Sequence, residues 1–341
     1  MKESKRMLVI RFSALGDVAM TLPVVYSLAN RYPDLQIDYV TSPFFARLFI
    51  DPPVNLHVHA YNIKKDFHGL MGIFSLFKKL SALKPDYVAD LHNVFRTWII
   101  DSLFRLSGVK VVMLDKMRSK RNDIIKRKID QPSFIRRYEE VFGHLGYPLK
   151  TDFSSIFKEK QKIPIEINHP AVGIAPFARF RNKTYPAELI KSVIKKLTEK
   201  GINVYLFGAK GEEAAELEDW CKDFDRCVSL GGKFPIEEEL AIMGEMNVMV
   251  SMDSANHHLA SLSATSVVSL WGSTTPGCGF MAYNQPLSNA LSLNLSCQPC
   301  TIAGSPGCKK GDFACMNNLT PDTVVNKIIS LISHPKELKT I

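Results

Sequence analysis

Strand-length apolar runs alternate with stretches whose apolar residues return at helical spacing, and this alternation is played through twice along the chain. In the first half, residues 7–12, 36–41, 54–61, 86–91 and 109–114 have the length and composition of strands. Val18, Leu22, Val25, Ala29 and Tyr32 keep helical spacing up to Pro33, and Pro23 is expected to kink that helix or reset its start. Periodicity fades over 147–170, where a linker is expected. The pattern restarts with strands over 171–175, 202–207, around Val228, 248–252 and 266–271. Helices fall between them: from Pro186 to Lys200 with Gly201 as the stop, up to Trp220, over 236–243 and over 255–263. The expected class is α/β, with two Rossmann-like doubly wound domains, 1–160 and 161–341, facing across a cleft.

Size agrees with that division, since 341 residues exceed what one core usually supports. A composition 46% hydrophobic and 23% charged is that of a globular protein, and no apolar run approaches the roughly 18 residues of a membrane span. The basic start from Lys2 to Arg6 leads into an apolar run broken by Arg11, so a cytoplasmic chain without a cleaved signal is expected. A net charge of +9 points to an anionic partner: nucleic acid, a phosphorylated glycolipid or an acidic membrane face. Much of the excess lies from Lys116 to Arg137, either as a binding surface or as a solvated helix face. It lacks the interleaved aromatics of single-strand binders, so no nucleic-acid partner is expected.

Seven cysteines divide unevenly. Cys221, Cys227 and Cys278 are scattered, whereas Cys297, Cys300, Cys308 and Cys315 gather near the end, the first two at the C-x2-C spacing of zinc ribbons. Their Gly-, Pro- and Ser-rich surroundings favour a reduced loop over zinc, and a reducing cytosol disfavours a disulfide.

The chemistry lies at strand ends. No G-x-G-x-x-G follows a strand and no G-x-x-x-x-G-K-[ST] occurs, which argues against a nicotinamide dehydrogenase and a P-loop kinase. Asp223-Phe224-Asp225 spells a D-x-D but follows a charged helix without a cleft context, so no metal site is assigned. Asp17 sits where the first strand gives way to a helix, with Gly16 expected to supply the tight turn. It can cap the helix or take a proton from a substrate. The loop 176–186, with Arg179, Arg181 and Lys183, offers cations and helix-start N–H groups to a pyrophosphate, or is an ordinary polar loop. Glu212 can accept from ribose hydroxyls, or with Glu213 favour a helix N-terminus. Asp253 and Ser254, with His258 one turn on, suit a phosphorylated sugar. Capping and packing are the alternatives. A Ser-His-Asp hydrolase lacks its G-x-S-x-G elbow.

In order and spacing these elements resemble the ADP-heptose:lipopolysaccharide heptosyltransferases of glycosyltransferase family 9. The carriers are Ser13-Ala14-Leu15-Gly16-Asp17 with Thr21-Leu22-Pro23, Lys183-Thr184-Tyr185-Pro186, Gly208-Ala209 with Glu212, Asp253-Ser254 with His258-Leu259-Ala260, and Trp271-Gly272-Ser273-Thr274-Thr275-Pro276. The resemblance implies a GT-B fold, an acceptor-binding first domain and a nucleotide-sugar-binding second one. It also implies an inverting transfer of heptose from ADP-heptose to a lipid A-linked inner-core acceptor, without metal or cofactor. Asp17 would be the general base, with Ser13 and Gly16 beside it at the substrate. Lys183 and Arg181 would meet the diphosphate, Glu212 the nucleoside, and Asp253, Ser254 and His258 the donor sugar and phosphates. The Thr274-Thr275 turn would stabilise charge on the leaving group. Arg96 and the 116–137 stretch are candidates for the anionic glycolipid acceptor, and for loose contact with the inner face of the inner membrane. Ala255 stands where the family usually has glycine, and His257 adds a second imidazole. A different nucleotide sugar, or binding without catalysis, are the alternatives.

Overall fold

A computed structural model describes residues 4–333, so Lys2 of the basic start lies outside the described residues. The chain forms two compact units: Met1–Arg118 with Phe134–Ile156, and Ser119–Ser133 with Phe157–Ile341.

A single cut at 160 therefore misplaces one segment. Residues 119–133 belong with the second unit because their polar groups are satisfied there. Gln131 N–H donates to the Gly277 carbonyl at 2.8 Å and Lys128 Nζ to the Pro299 carbonyl at 3.1 Å. Asp130 lies where a side chain on residue 277 would have to go, so Gly277 is what admits it. The stretch read as a linker is firmly held at its start. Thr151 donates through both N–H and Oγ1 to Glu139 Oε1 at 2.7 Å, and Phe153 and Ile156 are buried in the first unit.

The first unit is a five-stranded parallel sheet of β1 (Arg6–Ile10), β2 (Gln36–Thr41), β3 (Leu56–Ala60), β4 (Tyr87–Asp90) and β5 (Lys110–Met113), in the order β3-β2-β1-β4-β5. Met7, Leu8, Val9 and Ile10 of central β1 are wholly buried, as expected for a strand covered on both faces. Its helices are α1 (Leu15–Arg31), the short α2 (Pro43–Ala46) and α3 (Ile63–Asp66), α4 (Gly69–Ser81) and α5 (Phe95–Leu106). Then follow α6 (Arg121–Arg127), which belongs to the second unit, and α7 (Phe134–Leu145), back in the first. Helix α1 continues through Pro23 as one segment and neither breaks nor restarts there. Ser27 Oγ donates to the Pro23 carbonyl at 2.7 Å, and Val18 to Ala29 are all buried.

The second unit repeats the winding and adds a strand: β6 (Ala171–Ala175), β7 (Asn203–Leu206), β8 (Cys227–Ser229), β9 (Val248–Met252), β10 (Val267–Leu270) and β11 (Ala290–Leu291), in the order β11-β10-β9-β6-β7-β8. Its further helices are α8 (Ala187–Thr198), α9 (Glu212–Cys221), α10 (Ile236–Gly244), α11 (Ala255–Leu262), α12 (Ala314–Asn317) and α13 (Pro321–Ser333). Val172, Ile174, Val250, Leu270, Ile194 and Val324 share one core.

In each sheet the first strand has its successor on one side and its fourth strand on the other. This reversal separates the loops leaving the carboxyl ends of those two strands, and such a point is where open α/β sheets hold ligands. In the first unit the flanking loops leave β1 and β4. In the second they leave β6 and β9. The candidates from the sequence lie on these loops or the helices after them, except Glu212, which follows β7, and the 271–275 turn, which leaves β10 next door.

Candidate functional site

At the carboxyl end of β1 the chain turns through Arg11–Ala14 into α1. Gly16 is not the turning residue: it lies inside the first turn of α1 and has no positive φ, because the change of direction is completed at Ser13 and Ala14. Asp17, three residues past the N-cap, directs Oδ2 back to the Ala14 N–H at 3.1 Å. Ala14 has no side-chain oxygen to reciprocate, so only half of a capping box is made. The same Oδ2 pairs with Arg11 Nη2 at 2.7 Å, and Arg11, itself buried, donates through Nη1 to the Leu91 carbonyl at 2.5 Å. Asp17 is thus held from two sides by one oxygen. Among the described residues Oδ1 makes no hydrogen bond, and the side chain is 29% exposed.

Cations collect around this carboxylate. The loop after β4 brings His92, whose Nε2 is 3.4 Å from Ser13 Oγ. Burial first, then the positive charges of Arg11 and Lys116, pull His92 down to about 3, so it is neutral near pH 7. Lys116 falls to about 8 through burial and the neighbouring Arg11 and Arg118. Arg96, in the first turn of α5, donates to the Phe67 carbonyl at 3.3 Å and adds to the positive field on His92. Below it, burial and the Asp90 carboxylate push Asp101 up to about 8, so that it keeps its proton. Asp90 in turn accepts from His92 N–H at 2.7 Å and Asn93 N–H at 2.9 Å, fixing the loop that carries His92.

The basic stretch from Lys116 to Arg137 is not one surface. Lys116 and Arg118 belong to the first unit, residues 119–133 to the second, and Arg137 is buried over the Phe134 ring at 4.4 Å. Arg127 and Arg136 pair with Asp123 and Glu140 one turn away on their own helices.

In the second unit the loops leaving β6 and β9 meet. Lys183 Nζ lies 2.8 Å from Asp253 Oδ2, with both side chains largely buried, and Thr274 Oγ1 donates to that same oxygen at 2.5 Å. Ser254 stands at the N-cap of α11 but makes no cap bond. Its Oγ lies 3.2 Å from Ser251 Oγ, so the first N–H groups of α11 receive no side-chain acceptor from it. His258 is buried on α11 with its ring 4.9 Å from that of His257. His257 packs edge-on against Trp271, and its Nε2 accepts from Ala282 N–H at 3.2 Å. Burial, His258 and Lys183 hold it well below the usual range, in the neutral form. The extra histidine is therefore a core residue.

Three candidates stand apart from the Asp253 contacts. Arg181 is exposed, donating to the Thr184 carbonyl at 3.1 Å and lying 4.8 Å over the Phe313 ring. Glu212 is exposed at the start of α9 and makes no hydrogen bond among the described residues. Glu213 supplies the local bond, accepting from Ala209 N–H at 2.8 Å. Thr275 is half-buried, with Oγ1 4.0 Å from Cys278 Sγ.

Two residues not singled out in the sequence hold the turn that follows β10. The Asn182 carbonyl accepts from Ser273 N–H, and its amide spans Ser305 and the Gly307 carbonyl. Gln298 Nε2 donates to the Gly272 carbonyl at 2.6 Å. Gly272 is required here, since a side chain would strike the Asn182 carbonyl. Cys297, Cys300, Cys308 and Cys315 line one small cavity under this turn, all as free thiols. Burial and the other three push Cys315 up to about 11. Among the described residues no group of three or more His, Cys, Asp or Glu is placed to hold a metal ion.

The profile of glycosyltransferase family 9 (heptosyltransferase) matches residues 73–309, more than half of the chain. The chain belongs to glycosyltransferase family 9. Curated members extend the likeness over almost all of it. Lipooligosaccharide heptosyltransferase 2 of Haemophilus ducreyi is 24% identical over 96% of this chain and 99% of its own. Lipopolysaccharide heptosyltransferase 2 of Salmonella typhimurium is 28% identical over the same shares. Among solved structures, the family 9 glycosyltransferase of Veillonella parvula superposes with a TM-score of 0.75 over 98% of both chains, at 18% identity. E. coli heptosyltransferase WaaC with ADP gives 0.70 over 95% of this chain and 99% of that one, also at 18%. Those structures are GT-B glycosyltransferases, and the two Rossmann-like units here share that fold. The family 9 chain is a glycosyltransferase.

Proposed function

We propose that this family 9 enzyme transfers heptose from ADP-heptose to a lipid A-linked inner-core acceptor of lipopolysaccharide, with inversion and without a metal. The acceptor belongs to the first unit and the donor to the second. The observation that carries the reading is the two-sided grip on Asp17: Arg11 and the Ala14 N–H fix one oxygen and leave Oδ1 to accept a proton from the acceptor hydroxyl as that hydroxyl attacks the anomeric carbon. Lys116 feels the same carboxylate, Ser13 and Arg96 lie by the neighbouring His92, and all three suit the phosphates or acidic sugars of such an acceptor. The backbone at Gly16 carries no side chain to obstruct it.

On the donor side Lys183, released in part from Asp253, meets the diphosphate, and the open N-terminus of α11 with Thr274 and Thr275 supports the charge that grows on the leaving group. Asp253, Ser254 and His258 face the sugar and its phosphate. Glu212 accepts from the nucleoside ribose, and Arg181 swings from Phe313 to the phosphates. A positive charge already built into the protein is what makes a divalent ion unnecessary. Contact with the inner face of the inner membrane follows from the acceptor's lipid anchor. Among the described residues no helix is long and apolar enough to cross a membrane.

The test is turnover of ADP-heptose against UDP-sugars with a heptose-deficient core glycolipid, in chelator, with the anomeric configuration of the product read by NMR. Inverted heptosyl product formed equally well in chelator is expected. Use of a UDP-sugar alone, or activity lost in chelator and restored by a divalent ion, contradicts the proposal.

A further inference from the structure

The first unit carries an apolar surface that its core does not use. On α4, Leu70, Met71 and Phe74 project into solvent, Met71 being 82% exposed, while Gly72, Ile73, Leu76 and Leu80 face inward. On α5, Phe95 and Trp98 stand one turn apart, Phe95 66% exposed, with their rings 6.4 Å apart. The hydrogen bond from Arg96 to the Phe67 carbonyl, just before α4, and the edge-on contact of Phe77 on α4 with Phe104 on α5 hold the two helices side by side. Large apolar side chains clustered on a surface mark an interaction site.

The surrounding charge indicates what is met there. Lys64 and Lys65 precede the cluster, Lys78 and Lys79 close α4, and the Arg118 guanidinium lies 5.7 Å from the Trp98 ring. No acidic residue occurs between Asp66 and Asp86, and Asp101 of α5 is buried. A second copy of the chain packed on this face would set one basic rim against another, whereas an anionic bilayer offers both an apolar interior and phosphate.

We infer that the outer face of α4 and α5 docks on an anionic lipid bilayer, with Met71, Phe74, Phe95 and Trp98 entering below the headgroups and the lysines and Arg118 meeting phosphate. The inference rests on the reading of the acceptor as a lipid-linked glycan, which gives the docking its purpose. Helices α4 and α5 follow the carboxyl ends of β3 and β4, the edge of the sheet that also carries Asp17. Of the divided 116–137 stretch this docking keeps only Arg118, beside Trp98, and places the rest of the membrane contact on α4 and α5.

Flotation of the full chain with vesicles of phosphatidylethanolamine and phosphatidylglycerol, against phosphatidylcholine alone, tests this without donor or acceptor. Trp98 reports directly, because Trp220 and Trp271 are buried. The expected result is salt-sensitive binding to the anionic vesicles with a blue shift of tryptophan emission. Partitioning should weaken about tenfold or more in Met71→Ser/Phe95→Ser. Leu106→Ser, at the far exposed end of α5, should bind like the parent. Lys64→Glu/Lys65→Glu, which reverses charge at two positions without altering the exposed apolar side chains, should also weaken binding. Failure of the parent to float, or flotation of both double variants as strong as the parent's, overturns the inference. So does a dimer that Met71→Ser/Phe95→Ser dissolves while leaving flotation unchanged. A chain that floats but transfers no heptose leaves the inference standing and removes the function proposed above.

Discussion

The two sheets wind alike, yet the loops at their switch points are built differently. In the second unit Lys183, Asp253 and Thr274 form a closed, buried set in which one carboxylate oxygen takes both partners, with Asn182 and Gln298 holding the adjoining turn. In the first unit one oxygen of Asp17 is held as firmly by Arg11, but the other makes no hydrogen bond among the described residues. The comparison teaches that the same topology can either preassemble a site for a compact ligand or fix one reactive atom and leave its surroundings adaptable. A nucleoside diphosphate rewards the first arrangement, and a large anionic glycolipid the second.

The largest effect should come from breaking the closed set. Lys183→Ala leaves Asp253 buried and uncompensated and removes the cation offered to the diphosphate. Steady-state kinetics should show kcat/KM down by about a thousandfold, with donor affinity lost as well. A variant that keeps its donor affinity would show that the set is merely structural. Thr274→Val removes one hydrogen bond from the same oxygen, and about a tenfold loss is expected, mostly in kcat.

The acceptor side should respond to pH through Lys116, which is charged below about 8 and neutral above it. KM for the anionic acceptor should therefore rise as pH passes about 8, with donor KM unchanged. Lys116→Met should raise acceptor KM several-fold, about 1 kcal/mol, and abolish that pH limb. A limb that persists in the variant would assign it elsewhere.

A further effect is on stability. Asp101 keeps its proton in the folded chain up to about 8 but loses it near 4 when unfolded, so the folded state binds more protons in that window and stability falls as pH rises through it. Asp101→Asn, which stays neutral, should lose less stability between pH 5 and 9, a difference read from urea unfolding across that range. Parallel curves for the two proteins would contradict the raised carboxyl.

Much of this was legible in the sequence because parallel strands buried on both faces read as continuous apolar runs. Strands β2, β6 and β9 were delimited to the residue, and most other strands to within a residue or two at each end. The short β11 and the helices beyond it carried no such signal. Asp17, Lys183 and Asp253 were visible because each follows a strand end. Arg11, His92, Asn182 and Gln298 were not, since their roles depend on partners 80, 79, 123 and 26 residues away that no local pattern couples. Gly16 looked like a turn residue only because the true turn at Ser13 and Ala14 contains no glycine. The basic stretch looked continuous because charge along a chain says nothing about which unit each residue joins.

The central claim is that the open oxygen of Asp17 takes the acceptor proton, and Asp17→Asn tests it most directly, since the amide can keep the bond from the Ala14 N–H but cannot act as a base. Transfer rate and ADP-heptose affinity should be measured side by side. The account predicts a rate lower by about 10²–10⁴ with donor affinity changed less than about twofold. Turnover near that of the unaltered chain would show that Asp17 only caps α1.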